Sequence, residues 1–162
     1  MTWIFIIVII GAIGIGVYIG TKQAKFQKEK VAEGKMITRD LNFMKDAEEF
    51  TLCAFDPQCV TEAVKNLDYT ELCANMEGSA ERQIFKFKGR SWAAQLYRVS
   101  ENDSQACYRF EFTSWKMDRY MPRDFSYMNM MATAIEKIFL SIDPNTQVRC
   151  IRQEIKTKHD FF

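Results

Sequence analysis

From Thr2 to Gly20 the chain carries no charged side chain: TWIFIIVIIGAIGIGVYIG. As a helix this run would reach roughly 28 Å, about the depth of a bilayer's hydrocarbon core. A helix of that length in water shows a polar stripe. Here only Thr2 and the glycines at 11, 14, 16 and 20 interrupt the apolar side chains. No basic residue precedes the run and no A-x-A pattern follows it, so it lacks the marks of a removed signal peptide. The sequence predicts a transmembrane anchor over residues 1–21, with Trp3 and Tyr18 near its two ends, where amphipathic rings prefer the interface.

The flanks predict a direction. Lys22, Lys25, Lys28 and Lys30 crowd the C-terminal side, and positive residues stay in the cytoplasm, which places the N-terminus outside and the remainder inside. The opposite topology, with an extracytoplasmic domain, is the alternative. The same four lysines are candidates for contact with lipid headgroups. Gly16 and Gly20 have the spacing that lets two membrane helices approach closely, so pairing with another membrane protein or with a second copy is expected there.

Beyond the anchor about 140 residues remain, enough for one domain with its own core. Its charge is unevenly divided. Leu41 to Ala80 holds eight acids against Lys45 and Lys65, a net of −6; Glu81 to Phe162 holds fourteen Lys or Arg against ten Asp or Glu, a net of +4. An acidic helical part packed beside a basic sheet accounts for this, and a surface for an acidic partner is a second possibility.

Hydropathy patterning divides the remainder into a helical segment over 22–52, an α+β domain over 53–158 and a tail over 159–162. In the first, Met36, Ile37, Leu41, Met44 and Ala47 recur at helical spacing, with a break allowed at Gly34. Asp56-Pro57 is a helix start, and Asp68 with Glu71 predicts a second short helix that stops at Gly78. After Arg82 the period becomes two. Phe85 and Phe87 alternate with Lys86 and Lys88, then Trp92, Ala94 and Leu96 line one side of a second strand, and Tyr108, Phe110 and Phe112 one side of a third. A helix with Met128, Met131, Ile135, Ile138, Phe139 and Ile142 on one face ends at Asp143-Pro144, and a last strand runs over about 147–156. The expected fold is α+β: a transmembrane helix, a helical linker, and a four-stranded antiparallel sheet (three-strand meander, helix, fourth strand) covered by helices.

Five cysteines, at 53, 59, 73, 107 and 150, form no C-x-x-C pair and are odd in number. In a cytoplasmic setting they stay reduced. In an extracytoplasmic one, Cys107 with Cys150, both on predicted strands, is the first candidate disulfide, and Cys53 with Cys59 the second. The single histidine, His159, lies in the tail, so a Cys-His or Ser-His nucleophile pair has no base elsewhere. Paired metal ligands and nucleotide-binding glycine motifs are missing outside the apolar run. No catalytic residue, cofactor or metal is expected. Aromatic and basic residues alternate at Phe85–Lys88, but alternation separates them onto opposite faces, so nucleic acid is not expected as a partner either. Met121, Met128, Met130 and Met131 suggest packing that adapts to irregular neighbours.

An apolar N-terminal helix, a helical linker and a four-stranded antiparallel sheet together resemble the layout of type IV pilin-like proteins. That family carries an acid a few residues into its apolar helix, whereas Ile4 to Ile10 contains none; the resemblance is one of architecture. It implies the alternative role, an envelope-assembly component with a disulfide. The leading expectation is a non-catalytic membrane protein whose small domain binds another protein, as a subunit or assembly factor. A third is a lipid or small-ligand domain with its cavity between the aromatic sheet face and the last helix.

Overall fold

The computed structural model describes residues 20–53, 56–102 and 105–153. The chain divides into two units, Met1–Thr38 and Arg39–Phe162. In the first, helix α1 covers residues 20–32 and stops where the sequence allowed a break. Gly34 takes a left-handed φ of 69°, which lets Lys35 N–H reach the Lys30 carbonyl at 2.8 Å and Gly34 N–H reach that of Val31 at 2.9 Å. These two bonds close the helix end as a Schellman motif, for which glycine is the favoured residue.

The membrane expectation is corrected here. Among the described residues no helix is long and apolar enough to cross a membrane, and the anchor expected over 1–21 lies, Gly20 and Thr21 excepted, outside them. The single-pass anchor, and the topology and localisation deduced from its flanks, find no support in the structure.

The second unit is built on a sheet of six strands, not four. In chain order its elements are a 3-10 turn Phe43–Lys45, β1 Asp46–Leu52, α2 Pro57–Lys65, β2 Ala74–Ser79, β3 Ile84–Gly89, β4 Trp92–Asn102, β5 Gln105–Trp115, a two-residue hairpin of β6 Met117–Asp118 and β7 Met121–Pro122, α3 Phe125–Ile142 and β8 Gln147–Arg152. The large sheet has the order β2-β3-β4-β5-β1-β8, and every neighbouring pair is antiparallel. The meander β3–β4–β5 and α3 lie where the alternation and the apolar stripe place them.

Two segments expected as helix are strands. Residues 46–52 close the expected helical linker, yet β1 sits between β5 and β8, with Glu49 opposite both Arg109 and Arg149. Its apolar residues read as helical only when Met44 and Ala47 are counted with them. Phe50 and Leu52, both buried, follow the strand period, and pairing on both sides outweighs local propensity. The second segment is β2. Asp68 does accept the Glu71 N–H at 2.9 Å, as a helix cap would. The chain then makes only a turn, in which Cys73 has a φ of 48°, and enters β2 with Gly78 inside the strand.

One face of the sheet carries the core. Phe85, Phe87, Leu96, Tyr108, Phe110 and Phe50 point to that side and are buried. Helix α3 lays Met128, Met131, Ile135 and Phe139 over them, all without exposed surface. Phe139 stacks on Phe50 at 4.5 Å between centroids and leans on Tyr108 at 5.2 Å. Below α3, Phe43 from the 3-10 turn meets Phe112 and Phe125 edge-on at 5.7 and 5.4 Å. The space between the helix and the aromatic face is therefore filled by side chains. Helix α2 opens as the sequence predicts, Asp56 accepting the Gln58 N–H at 2.8 Å with Pro57 next in line. It is tied to the sheet through Gln83, which donates to Thr61 Oγ1 at 2.8 Å and accepts the Tyr108 hydroxyl at 3.1 Å.

Removing the Phe139 ring leaves a cavity beside Phe50 and Tyr108. Phe139→Ala should cost about 3–5 kcal/mol in urea unfolding; a loss below about 1 kcal/mol would mean that α3 can collapse onto the sheet. Gly89 makes the opposite test. A Cβ there would stand 2.2 Å from the Trp92 ring, which is buried and cannot retreat. Gly89→Ala should destabilise by about 1–3 kcal/mol, through overpacking.

Candidate functional site

The residues singled out in the sequence do not converge. Gly16 lies outside the described residues, and Gly20 begins the described part of α1 with open space where a Cβ would stand. Lys22, Lys25 and Lys28 are exposed on α1. Lys30 is half-buried: it lies 5.8 Å above the Phe26 ring and binds Glu33 at 2.9 Å, which also takes Lys35 at 3.2 Å. All five thiols are free. Cys107 faces Thr51 from β5, while Cys150 faces Glu48 from β8. Strand β1 separates them, and neighbouring residues of β1 alternate faces, so the two thiols stand two strands apart on opposite sides of the sheet. Two inter-strand spacings, about 9.5 Å, exceed the reach of a disulfide. Cys53 sits just past β1, its N–H given to Asp143 Oδ2 at 2.9 Å. Cys59, on α2, points its thiol to Asp56 at 3.8 Å. Among the described residues no group of three or more His, Cys, Asp or Glu side chains converges as a metal would require.

A buried ion cluster went unseen in the sequence. Arg39, just before the 3-10 turn, binds Glu48 of β1 and, at 2.9 Å, Glu136 of α3. Its guanidinium also lies 5.7 Å over the Phe43 ring. One cation thus serves two carboxylates, and the accounts do not balance fully: Arg39 Nε and Glu48 Oε2 are buried without a hydrogen-bond partner. Burial pushes the Glu48 carboxyl above its ordinary value, outweighing the pull of Arg39 in the other direction; Glu136 and Asp46 push it further up. The unpaired Oε2 is the visible reason that burial prevails. The cluster ties three elements together and is closed to a ligand, so it serves the fold.

Among the described residues of the second unit no helix covers the opposite face of the sheet, and its charge is distributed in two ways. Across β1 and β5 it is engaged in hydrogen bonds within the sheet. Arg109 gives both Nε, at 2.9 Å, and a terminal nitrogen to Glu49 Oε1. Glu111 accepts Gln95 at 2.6 Å on one oxygen and Gln153 at 2.9 Å on the other. Toward β2 and β3 it is not. There Lys86 and Lys88 stand two residues apart on one strand, which puts both on the open face. The turn after β3 adds Arg90, and the chain leaving β5 adds Lys116 and Arg123.

These five cations, with Glu77 as the one acid, line a broad concave surface of about 2110 Å³ along β2–β5. Glu77 faces Lys86 across β2 and β3. Arg90 is held over the Tyr127 ring at 5.4 Å and paired with Asp124 at 3.0 Å, while its side chain stays two-thirds exposed. Ser91 donates to the same Asp124 at 2.5 Å, which fixes the turn. The alternation of Phe85–Lys88 revealed the two lysines. Arg90, Lys116 and Arg123 lie on separate turns whose convergence only the sheet order brings about. No protein family, curated protein or solved structure matches the chain.

The raised Glu48 has a testable consequence. The folded protein holds that proton more tightly than the unfolded chain, so stability is gained below the ordinary glutamate range and lost as pH rises through the raised value. Urea midpoints should therefore fall for the native chain relative to Glu48→Gln across that window. The opposite slope would mean that Arg39, not burial, sets the titration.

Proposed function

We propose that the second unit is a non-catalytic protein-interaction domain that receives an acidic segment of a partner protein on the concave surface of β2–β5. The observation that carries this reading is that five cations and one acid, Glu77, line an open hollow of about 2110 Å³, with Arg90 the one of the five also paired to an acid outside the lining, Asp124. Elsewhere on the same face Glu49 is tied to Arg109, and Glu111 to Gln95 and Gln153, within the sheet. Like-charged side chains held on one rigid sheet repel each other, and an acidic partner relieves that repulsion while steering the encounter.

An acidic protein segment is favoured over nucleic acid by the placement of the rings. Phe85 and Phe87, between and beside the two lysines in sequence, are buried in the core and offer no face for base stacking. Half-buried Trp115 and Tyr69 at the rim supply apolar contact of the kind that protein interfaces use.

The test is titration calorimetry of the full chain with a short poly-glutamate peptide. Binding should weaken steeply with added salt, and the pair Lys86→Glu with Lys88→Glu should weaken it by about tenfold or more, roughly 1.4 kcal/mol. An unchanged affinity in that variant would overturn the reading. So would tighter binding of a single-stranded oligonucleotide than of the peptide.

A further inference from the structure

The far edge of the sheet has a separate character. Strand β8 is the last in the order, so it is paired with β1 on one side, and among the described residues no strand pairs with its other backbone edge. Five of its six residues are exposed and Ile151 is half-buried. An edge of this kind is a template for strand addition unless it is blocked by a bulge, a proline or charge. The sequence of β8, QVRCIR, holds no proline, and its register with β1 runs from Gln147 to Arg152 without a break; its one blocking device is the positive charge of Arg149 and Arg152, which excludes basic strands and admits acidic ones.

Its arginines select what can pair there. Arg149 shares the open face with Ile151, and Arg152 shares the helix face with Val148, because pairing fixes Arg149 opposite Glu49 and Val148 opposite Phe50. The acid opposite Arg149 is already engaged, since Glu49 accepts Arg109 at 2.9 Å. Arg152 meets Asp46 at 3.2 Å in an exposed pair, which contributes little and leaves the cation available. Each face of the edge therefore offers one arginine beside one apolar side chain, and Val148 is 40% exposed. A second copy of β8 would bring two more arginines against these two, so like charge disfavours self-pairing. The other sheet edge, β2, carries Glu77 in place of arginines and is unsuited to an acidic strand.

We propose that β8 is a strand-addition site for an extended acidic segment of another protein, one in which acids and β-branched apolar residues alternate so that each meets an arginine or a valine-isoleucine patch. This site is distinct from the concave surface at the opposite end of the sheet, and it stands or falls independently of it.

A peptide alternating glutamate and valine is the probe, added to the full chain. Cys150 is exposed on β8 and reports on the edge. Its alkylation, located by mass spectrometry, should slow by about fivefold or more at saturating peptide, and hydrogen exchange of the 147–152 amides should slow with it. Alkylation at Cys59, on α2, should not change. The variant Arg149→Gln with Arg152→Gln removes the charge without reversing it. It should lose the protection while keeping its far-UV circular dichroism, whereas Lys86→Glu with Lys88→Glu should retain it. Three results would overturn the proposal: no protection at Cys150, equal protection by a lysine–valine peptide, or protection that grows with protein concentration in the absence of peptide, which would signal pairing between copies.

Discussion

Everything in the second unit depends on α3 lying across the aromatic face of the sheet. A face bearing Phe50, Phe85, Phe87, Tyr108 and Phe110 could not stand in water, since rings of that size dominate the energetics of whatever surface buries them. The contact between Phe139 and Phe50 is where the helix and the sheet are fixed to each other, and it lands on β1, the strand whose partners lie farthest away in the chain. Helix α3 also links β5 to β8. The chain leaves one side of β1, crosses above it and returns on the other, so the helix that covers the core is the same one that carries the last strand to its place.

Arg39 completes this arrangement from the N-terminal side. By binding a carboxylate on β1 and another on α3, it joins the two layers through charge where the aromatic stack joins them through packing. Burying such a cluster is costly, and its net contribution is smaller than its geometry suggests, because desolvation offsets most of the attraction. Its value lies in geometry. Phe43 sits beneath the guanidinium, and the 3-10 turn that presents this ring is held where it can meet Phe112 and Phe125 edge-on. The cluster thereby sets the path by which the chain enters the sheet.

How far the sequence discloses this structure depends on the distance over which each signal acts. The alternation in 84–112 and the apolar stripe of 128–142 are local, and both give their elements correctly. Asp56-Pro57 and Gly34 act over a single turn and also hold. Strands β1 and β2 are another matter. DAEEFTL includes a glutamate on its buried side, which spoils the alternation that would mark a strand, and only Arg39 makes that glutamate acceptable there. ANMEGS ends in residues poorly suited to either element, and it becomes a strand because β3 offers it an edge. The charge imbalance between the chain's halves is visible in the sequence. Its concentration on one side of one face is not, because Lys86, Arg90, Lys116 and Arg123 meet only through the fold. The apolar opening run, the strongest local signal of all, lies outside the described residues, Gly20 excepted.

The placement of β1 governs how the molecule can assemble. It is the first of the described strands to be made, yet its neighbours are β5, with Glu49 and Arg109 separated by 60 positions, and β8, with Asp46 and Arg152 separated by 106. Closing loops of that length is slow compared with forming the β3–β4–β5 meander, whose strands follow one another directly. During synthesis the meander can therefore form while Phe50 and Leu52 still wait for a partner. The sheet closes only once β8 has left the ribosome, and until then β1 can have at most one of its two neighbours, β5.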